Sequence, residues 1–258
     1  MWKWSAAAMS RHLLLEGGAE FPKRASGRCG GRMSAADLRA IELAGGFDSP
    51  ICIIPTAAAP DHNHKRAGSN GVRWFQSLGA QNVFSVDVID SSSANAPSLA
   101  DLIRNSRLIF LLGGFPRYLG ETLTNSLCWR AALEAHEGGA VIAGSSAGAM
   151  VLCEHYSDPY EKKLLRGLNL IPNACVLPHH NNFGKAWANQ LVQLLPGVTL
   201  IGIDEQTGMV NDANEIWQVY GAGNVAIYQG DQIKIHTHLS GPASHLRSLP
   251  YRYSRLSR

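Results

Sequence analysis

A serine hydroxyl becomes a nucleophile at neutral pH only if a base takes its proton and fixed donors receive the charge that develops. Residues 140–154 (A-V-I-A-G-S-S-A-G-A-M-V-L-C-E) carry residue types suited to that chemistry. Residues 140–143 are apolar enough for a buried strand, Gly144-Ser145-Ser146-Ala147-Gly148 fits G-x-S-x-G, and 149–154 continues as a helix. Strand, sharp turn and helix with Ser146 at the apex is the context of a nucleophile elbow. A Gly/Ser-rich turn without chemistry has the same spacing. The small residues Ala147 and Ala149, which such a crowded turn needs, favour the elbow, and Ser146 is the predicted nucleophile.

Ten histidines compete for the role of base. His62 and His64 fall in a loop after an apolar strand, and His155 at the end of the elbow helix. His136, in a helix beside Glu137, reads as part of a solvated face. His236, His238 and His245 belong to the C-terminal segment. His179 and His180 follow the apolar run 174–178 and stand at a strand's carboxyl end, so His179 is the predicted base. Neighbouring strand residues point to opposite faces and no acid or cysteine is close in sequence on the loop side, which argues against a metal pair; no metal and no cofactor are expected.

The orienting acid is sought first between serine and histidine. Glu154, Asp158 and Glu161 lie there, with Asp158 ranked first because its loop (H-Y-S-D-P-Y-E-K-K) is placed to fold over the site, and Glu161 second. Each is equally compatible with a solvated surface acid. Oxyanion donors are expected from the backbone of Ala147 and of Gly113-Gly114, a glycine pair closing the very apolar run 108–112, although the pair also fits a plain strand-to-helix turn. Arg117 and Lys185 are candidate anchors for a substrate carboxylate, a role weighed against simple solvation.

These groups need a scaffold that delivers strand ends to one place. Apolar runs at 12–16, 50–55, 83–88, 108–112, 140–143 and 174–178 alternate with helical patterns at 34–45, 70–78, 99–105 and 117–137, the last in two pieces. Near-continuous apolar strands alternating with helices predict an α/β fold with a mostly parallel central sheet covered on both faces. The loop 56–66 and the polar stretch 91–98 read as connections. After a strand at 200–204, short strands at 216–219, 225–228 and 232–236 joined by Gly/Asn turns predict a small antiparallel C-terminal meander.

A chain of 258 residues suffices for one large domain, taken as 12–240 between an unstructured leader (1–11) and a basic tail (241–258). A net charge of +3 with scattered Lys and Arg gives no footprint for nucleic acid. No run reaches the length of a membrane span, and the leader lacks the apolar core of a secretory signal. Five cysteines, odd in number and mostly inside apolar runs, suit reduced core thiols and a cytoplasmic setting. The expected partners are a small peptide substrate and, in a homodimer, a second copy.

Taken together, G-S-S-A-G-A at 144–149, the preceding L-L-G-G-F-P-R-Y-L, G-L-N-L-I-P-N-A-C-V-L-P-H ending on His179, G-I-D-E-Q-T-G-M-V around Glu205 and the closing G-x-G-N-V resemble the cyanophycinase/peptidase E family of serine peptidases. The resemblance spans about residues 13–233. It implies a fold similar to class I glutamine amidotransferases (flavodoxin-like), with serine in place of their cysteine, and hydrolysis of aspartyl peptides or β-aspartyl linkages through an acyl-enzyme. Glu205 matches a recurring acid of the family and is expected near the site, supporting the histidine or its loop. Two departures concern specificity. Phe115-Pro116 stands where aspartyl-specific members carry Gln or Asn, and His180 stands where they usually carry an aromatic residue; Phe115 and His180 are therefore expected to shape the substrate pocket. Two other readings remain open. An α/β-hydrolase esterase shares G-x-S-x-G, but it would place its histidine near the C-terminus and carry an H-G-G oxyanion loop. A non-catalytic binding protein on the same fold would have no use for an intact Ser146/His179 pair.

Overall fold

The computed structural model describes residues 11–19, 34–212 and 216–238; the proposed leader, apart from Arg11, and the proposed tail lie outside these. In chain order the elements are β1 (Leu13–Glu16), α1 (Ser34–Leu43), β2 (Ile51–Ile54), α2 (His64–Ser77), β3 (Val83–Ser85), α3 (Ser91–Ala94), α4 (Pro97–Arg104), β4 (Leu108–Leu111), α5 (Pro116–Leu123), α6 (Leu127–Glu137), β5 (Val141–Ser145) and α7 (Ala147–Leu152). Then follow β6 (Cys153–Asp158), β7 (Lys163–Arg166), β8 (Ile171–Leu177), a π-helical turn (His180–Gly184), α8 (Lys185–Leu194), β9 (Thr199–Ile203), β10 (Thr207–Asp212), β11 (Ile216–Gly221), β12 (Asn224–Gln229) and β13 (Gln232–Thr237).

The strands form two sheets. The first runs β11-β10-β1-β5-β4-β2-β3, parallel from β1 to β3, with β10 and β11 added antiparallel at one edge. The second runs β13-β12-β9-β8-β6-β7, with a parallel centre of β9, β8 and β6. The expected parallel centre is present. The expected single meander is not, because the C-terminal strands are divided between the sheets: β10 and β11 pair onto β1, whereas β12 and β13 pair onto β9. The segment 153–166, read as elbow helix and loop, is instead the β6–β7 hairpin, and α2 begins at His64 inside the expected loop.

Strand alternation sorts side chains into separate cores. Leu14, Ile51, Ile53 and Phe110 face α1 and α2, whereas Leu13, Leu15, Cys52, Ile54 and Leu111 face the opposite way. That second face shares one core with α4, α6, α7 and inner residues of the second sheet, including Val176, Ile201 and Val225. Helix α8 covers the outer face of the second sheet through Ala188 and Leu191 against Cys175, Leu177 and Tyr228. Burying each such Leu, Ile or Phe side chain is worth roughly 1.5–3 kcal/mol, so the shared core fixes the sheets against each other. In consequence the carboxyl ends of β1, β4, β5, β8 and β9 converge, at the kind of edge where open α/β sheets put their sites.

Candidate active site

Strand β5 delivers Ser146 in a backbone conformation that a non-glycine residue rarely adopts, φ 49° and ψ −112°. Holding it there costs on the order of 1–3 kcal/mol, and its neighbours supply the restraint. Ser146 N–H donates to the carbonyl of Glu16 on β1 (3.0 Å), and its carbonyl accepts from Met150 N–H (3.0 Å) as α7 begins. The turn is so tight that a Cβ on Gly144 would lie 2.5 Å from the carbonyl carbon of Gly148, so no larger residue fits there. Sharp entry and an immediate helix aim the hydroxyl outward.

Two side chains complete a line from that hydroxyl. Ser146 Oγ lies 3.0 Å from His179 Nε2, and His179 Nδ1 lies 2.7 Å from Glu205 Oε1. A carboxylate can only accept, so Nδ1 carries the proton and Nε2 is left as acceptor for the serine hydroxyl. His179 itself is left-handed, at φ 49° and ψ 40°, where β8 ends and the π-helical turn starts. Its N–H donates to the Gly17 carbonyl (2.8 Å), its carbonyl accepts from Gly184 N–H (3.0 Å), and its ring stacks on Phe183 at 5.0 Å. Glu205 is held through its own N–H, which donates to Asn181 Oδ1 (2.9 Å), and through Gln206 N–H on the Gly18 carbonyl (3.0 Å).

Gly18, in the turn that leaves β1, is part of this geometry. At φ 103° a Cβ there would stand 2.6 Å from His179 Nε2. The absent side chain is the space the imidazole occupies. A glycine pair at a strand end was the available signal.

The predicted orienting acid is corrected by this arrangement. Asp158, at the end of β6, is buried and spends Oδ1 on the backbone N–H groups of Tyr160 (2.7 Å) and Glu161 (3.2 Å), which shapes the hairpin tip. Glu161 pairs with Arg117 and with Lys163 (2.8 Å), and Glu154 binds Arg166 (3.1 Å) and the N–H of Asn173 (2.9 Å). Glu205, placed near the site from the family pattern, is the acid on His179.

The remaining candidates fall in three places. Gly113 lies against the serine: a Cβ there would be 3.1 Å from Ser146 Cβ and 3.7 Å from Oγ, while a Cβ on Gly114 would meet the Ala57 carbonyl at 2.3 Å, and Ala147 follows the serine and opens α7. Phe115, next in the same turn, stacks on Tyr160 at 4.8 Å. Arg117 is engaged by Glu121 (2.7 Å) and Glu161 and is therefore no unpaired anchor, and Lys185 is an exposed first residue of α8.

His180 does not line the pocket. It is buried in a slot of the second sheet, with Nδ1 3.3 Å from Asp204 Oδ1 and Nε2 2.8 Å from Tyr228 Oη, and burial pulls its pKa down. His136 is not solvated either. It is 1% exposed, Nδ1 sits 2.8 Å from the Ala140 carbonyl, and burial pushes its pKa down to about 4. Cys52, Cys128, Cys153 and Cys175 are unpaired and buried, and desolvation raises every one of these thiols. Among the described residues no helix is long and apolar enough to cross a membrane.

The chain is similar to known proteins. The model of peptidase family S51 matches residues 26–218. The cyanophycinase of Geminocystis herdmanii is 28% identical over 211 residues, covering 76% of this chain and 75% of that protein. The cyanophycinase of Trichormus variabilis is 27% identical over 215 residues, covering 77% and 68%. The crystal structure of a peptidase from an acI-B1 Actinobacterium superposes with a TM-score of 0.78 at 29% identity, covering 93% of this chain and 98% of that one.

Proposed function

The chain belongs to peptidase family S51 and is a hydrolase with peptidase activity, and from that premise we propose that it cleaves small peptides or isopeptides through an acyl-serine intermediate formed at Ser146. The observation that carries this reading is the continuous line Ser146 Oγ, His179 Nε2 and Nδ1, Glu205 Oε1, with separations of 3.0 and 2.7 Å. Ser146 Oγ attacks the scissile carbonyl carbon and passes its proton to Nε2. Glu205 keeps Nδ1 protonated and stabilises the imidazolium that results. The oxyanion is received by backbone N–H groups of Ala147 and the Gly113-Gly114 turn, and the imidazolium gives its proton to the departing amine. Water, activated by the same histidine, then releases the acid. We read the scaffold as similar to class I glutamine amidotransferases, with serine replacing cysteine at the elbow.

Specificity is proposed to differ from that of an aspartyl hydrolase. A buried P1 carboxylate needs a cation or hydrogen bonds, since leaving it unpaired costs several kcal/mol. Phe115-Pro116 offers neither a polar side chain nor, at the proline, an N–H. Low turnover on β-Asp-Arg and Asp-X dipeptides is expected. A fluorophosphonate probe tests the mechanism: wild type should carry the adduct on the Ser146 peptide, and Ser146→Ala should lose both labelling and peptide hydrolysis while keeping its Tm. Turnover retained in that variant would remove the assignment.

A further inference from the structure

Two features meet at the mouth of the site that the hydrolytic step does not use: a pair of stacked aromatic rings and a neutralised arginine. Phe115 follows directly on Gly113-Gly114, the turn that borders Ser146, and its ring stacks on Tyr160 with centroids 4.8 Å apart and planes 19° from parallel. Tyr160 sits at the tip of the β6–β7 hairpin. Because β6 runs parallel to β8, with His155 opposite Cys175, that tip emerges at the same edge as His179. The tip is braced on both sides, by Asp158 Oδ1 accepting from Tyr160 N–H and by Glu161 pairing with Arg117 of α5. Tyr160 is 63% exposed at this tip, so one face of the stack is open to a ligand.

Resting on the serine-peptidase reading, we propose that Phe115 and Tyr160 form the wall for the side chain of the residue that supplies the scissile carbonyl, and that this side chain is aromatic or large and apolar. The turn that would hold the oxyanion leads within one residue to Phe115, so a carbonyl bound there directs its own side chain toward the stack. A third ring or an isobutyl group laid on it removes apolar surface from water and adds a stacking contact. An acidic side chain meets the opposite conditions. Arg117 already holds Glu121 and Glu161, Lys163 is held by Glu161, and the pairing keeps Glu161 ionised by lowering its pKa. Lys162, in the left-handed turn of the same tip, is the cation of this hairpin by which an acidic preference is tested.

Binding to the full-length Ser146→Ala protein tests this without requiring turnover, so it fails separately from the nucleophile assignment, which is read by probe labelling of wild type. Dipeptides Phe-X, Leu-X, Ala-X and Asp-X, with X held constant, are titrated calorimetrically. Phe-X and Leu-X are expected to bind about 10-fold or more tightly than Ala-X and Asp-X, the size of one good stacking and burial contact. Adding Tyr160→Ala should bring Phe-X to within roughly 3-fold of Ala-X and leave Ala-X unmoved, whereas Tyr160→Phe should retain the preference. An exposed ring leaves the Tm almost unchanged. Phe115→Leu, which keeps an apolar wall but loses the stack, should weaken Phe-X more than Leu-X. Tightest binding of Asp-X, lost in Lys162→Ala, would overturn the proposal. So would equal affinities across the series, no binding of any member, or a Tyr160→Ala loss shared by all four ligands.

Discussion

His179 faces two groups with opposite demands, and Glu205 decides the outcome. A carboxylate 2.7 Å from Nδ1 selects the tautomer whose Nε2 can accept the serine proton. Glu205→Gln keeps size and shape but can present an N–H to Nδ1, which favours the wrong tautomer. Its kcat is expected to fall about 10²- to 10⁴-fold with KM little changed. Asp158→Asn should change kcat no more than about 3-fold, because Asp158 holds a hairpin turn and not the imidazole. Steady-state kinetics of the two variants separates the acids directly; equal losses would mean that the hairpin, not the tautomer, controls the rate. That Ser146 and His179 would meet could be read from the sequence because each closes a local pattern, an elbow and a strand end. Glu205 could not be ranked from the residues alone, since a search confined to the segment between serine and histidine never reaches it. A triad is defined by geometry and roles, and chain order is free to vary.

At the scale of elements, the ends of β1 and β9 align the base as much as β8 does. Gly17 accepts from His179 N–H, Gly18 accepts from Gln206 N–H, and the empty Cβ position of Gly18 receives the imidazole. Gly18→Ala is therefore expected to lower kcat by on the order of 10²-fold, as a misplacement near 1 Å does. Probe labelling of Ser146 should slow in parallel and KM should move less; a loss confined to KM would mean that the ring is positioned otherwise. Beneath this layer, His180 joins Asp204 and Tyr228, and Asp204 Oδ2 also accepts from Asn224 N–H (2.8 Å), tying β8, β9 and β12 together one residue away from His179 and Glu205. The continuous apolar runs of β1, β2, β4, β5 and β8 announced themselves in sequence. The β6–β7 hairpin did not, because C-E-H-Y-S-D and K-L-L-R are short and rich in polar residues, and their strand character comes from pairing with each other and with β8.

Across the whole molecule, one core joins both sheets, and the partition of the C-terminal strands between them was illegible for a related reason. Short alternating strands specify that they pair, while the partner is chosen by which exposed edge the rest of the fold presents. That shared architecture also buries titratable groups away from the site, and His136 is the clearest case. It lies in α6, 1% exposed, with burial lowering its pKa to about 4 against the opposing pull of the Ala140 carbonyl. The unfolded chain takes up this proton near pH 6.5 and the folded chain does not until about pH 4. Below 6.5 the unfolded state thus binds more protons, so stability is fully present above that pH and declines as pH falls toward 4. The gap corresponds to on the order of 3 kcal/mol, with His180, lowered by the same cause, adding in the same direction. The Tm of wild type should therefore drop between pH 6.5 and 4, and His136→Gln should flatten that slope even if its Tm at pH 7.5 is lower. Should that variant not fold, NMR titration of wild-type His136 decides instead: a value near 6.5 would show that burial at α6 is not what makes the fold sensitive to acid.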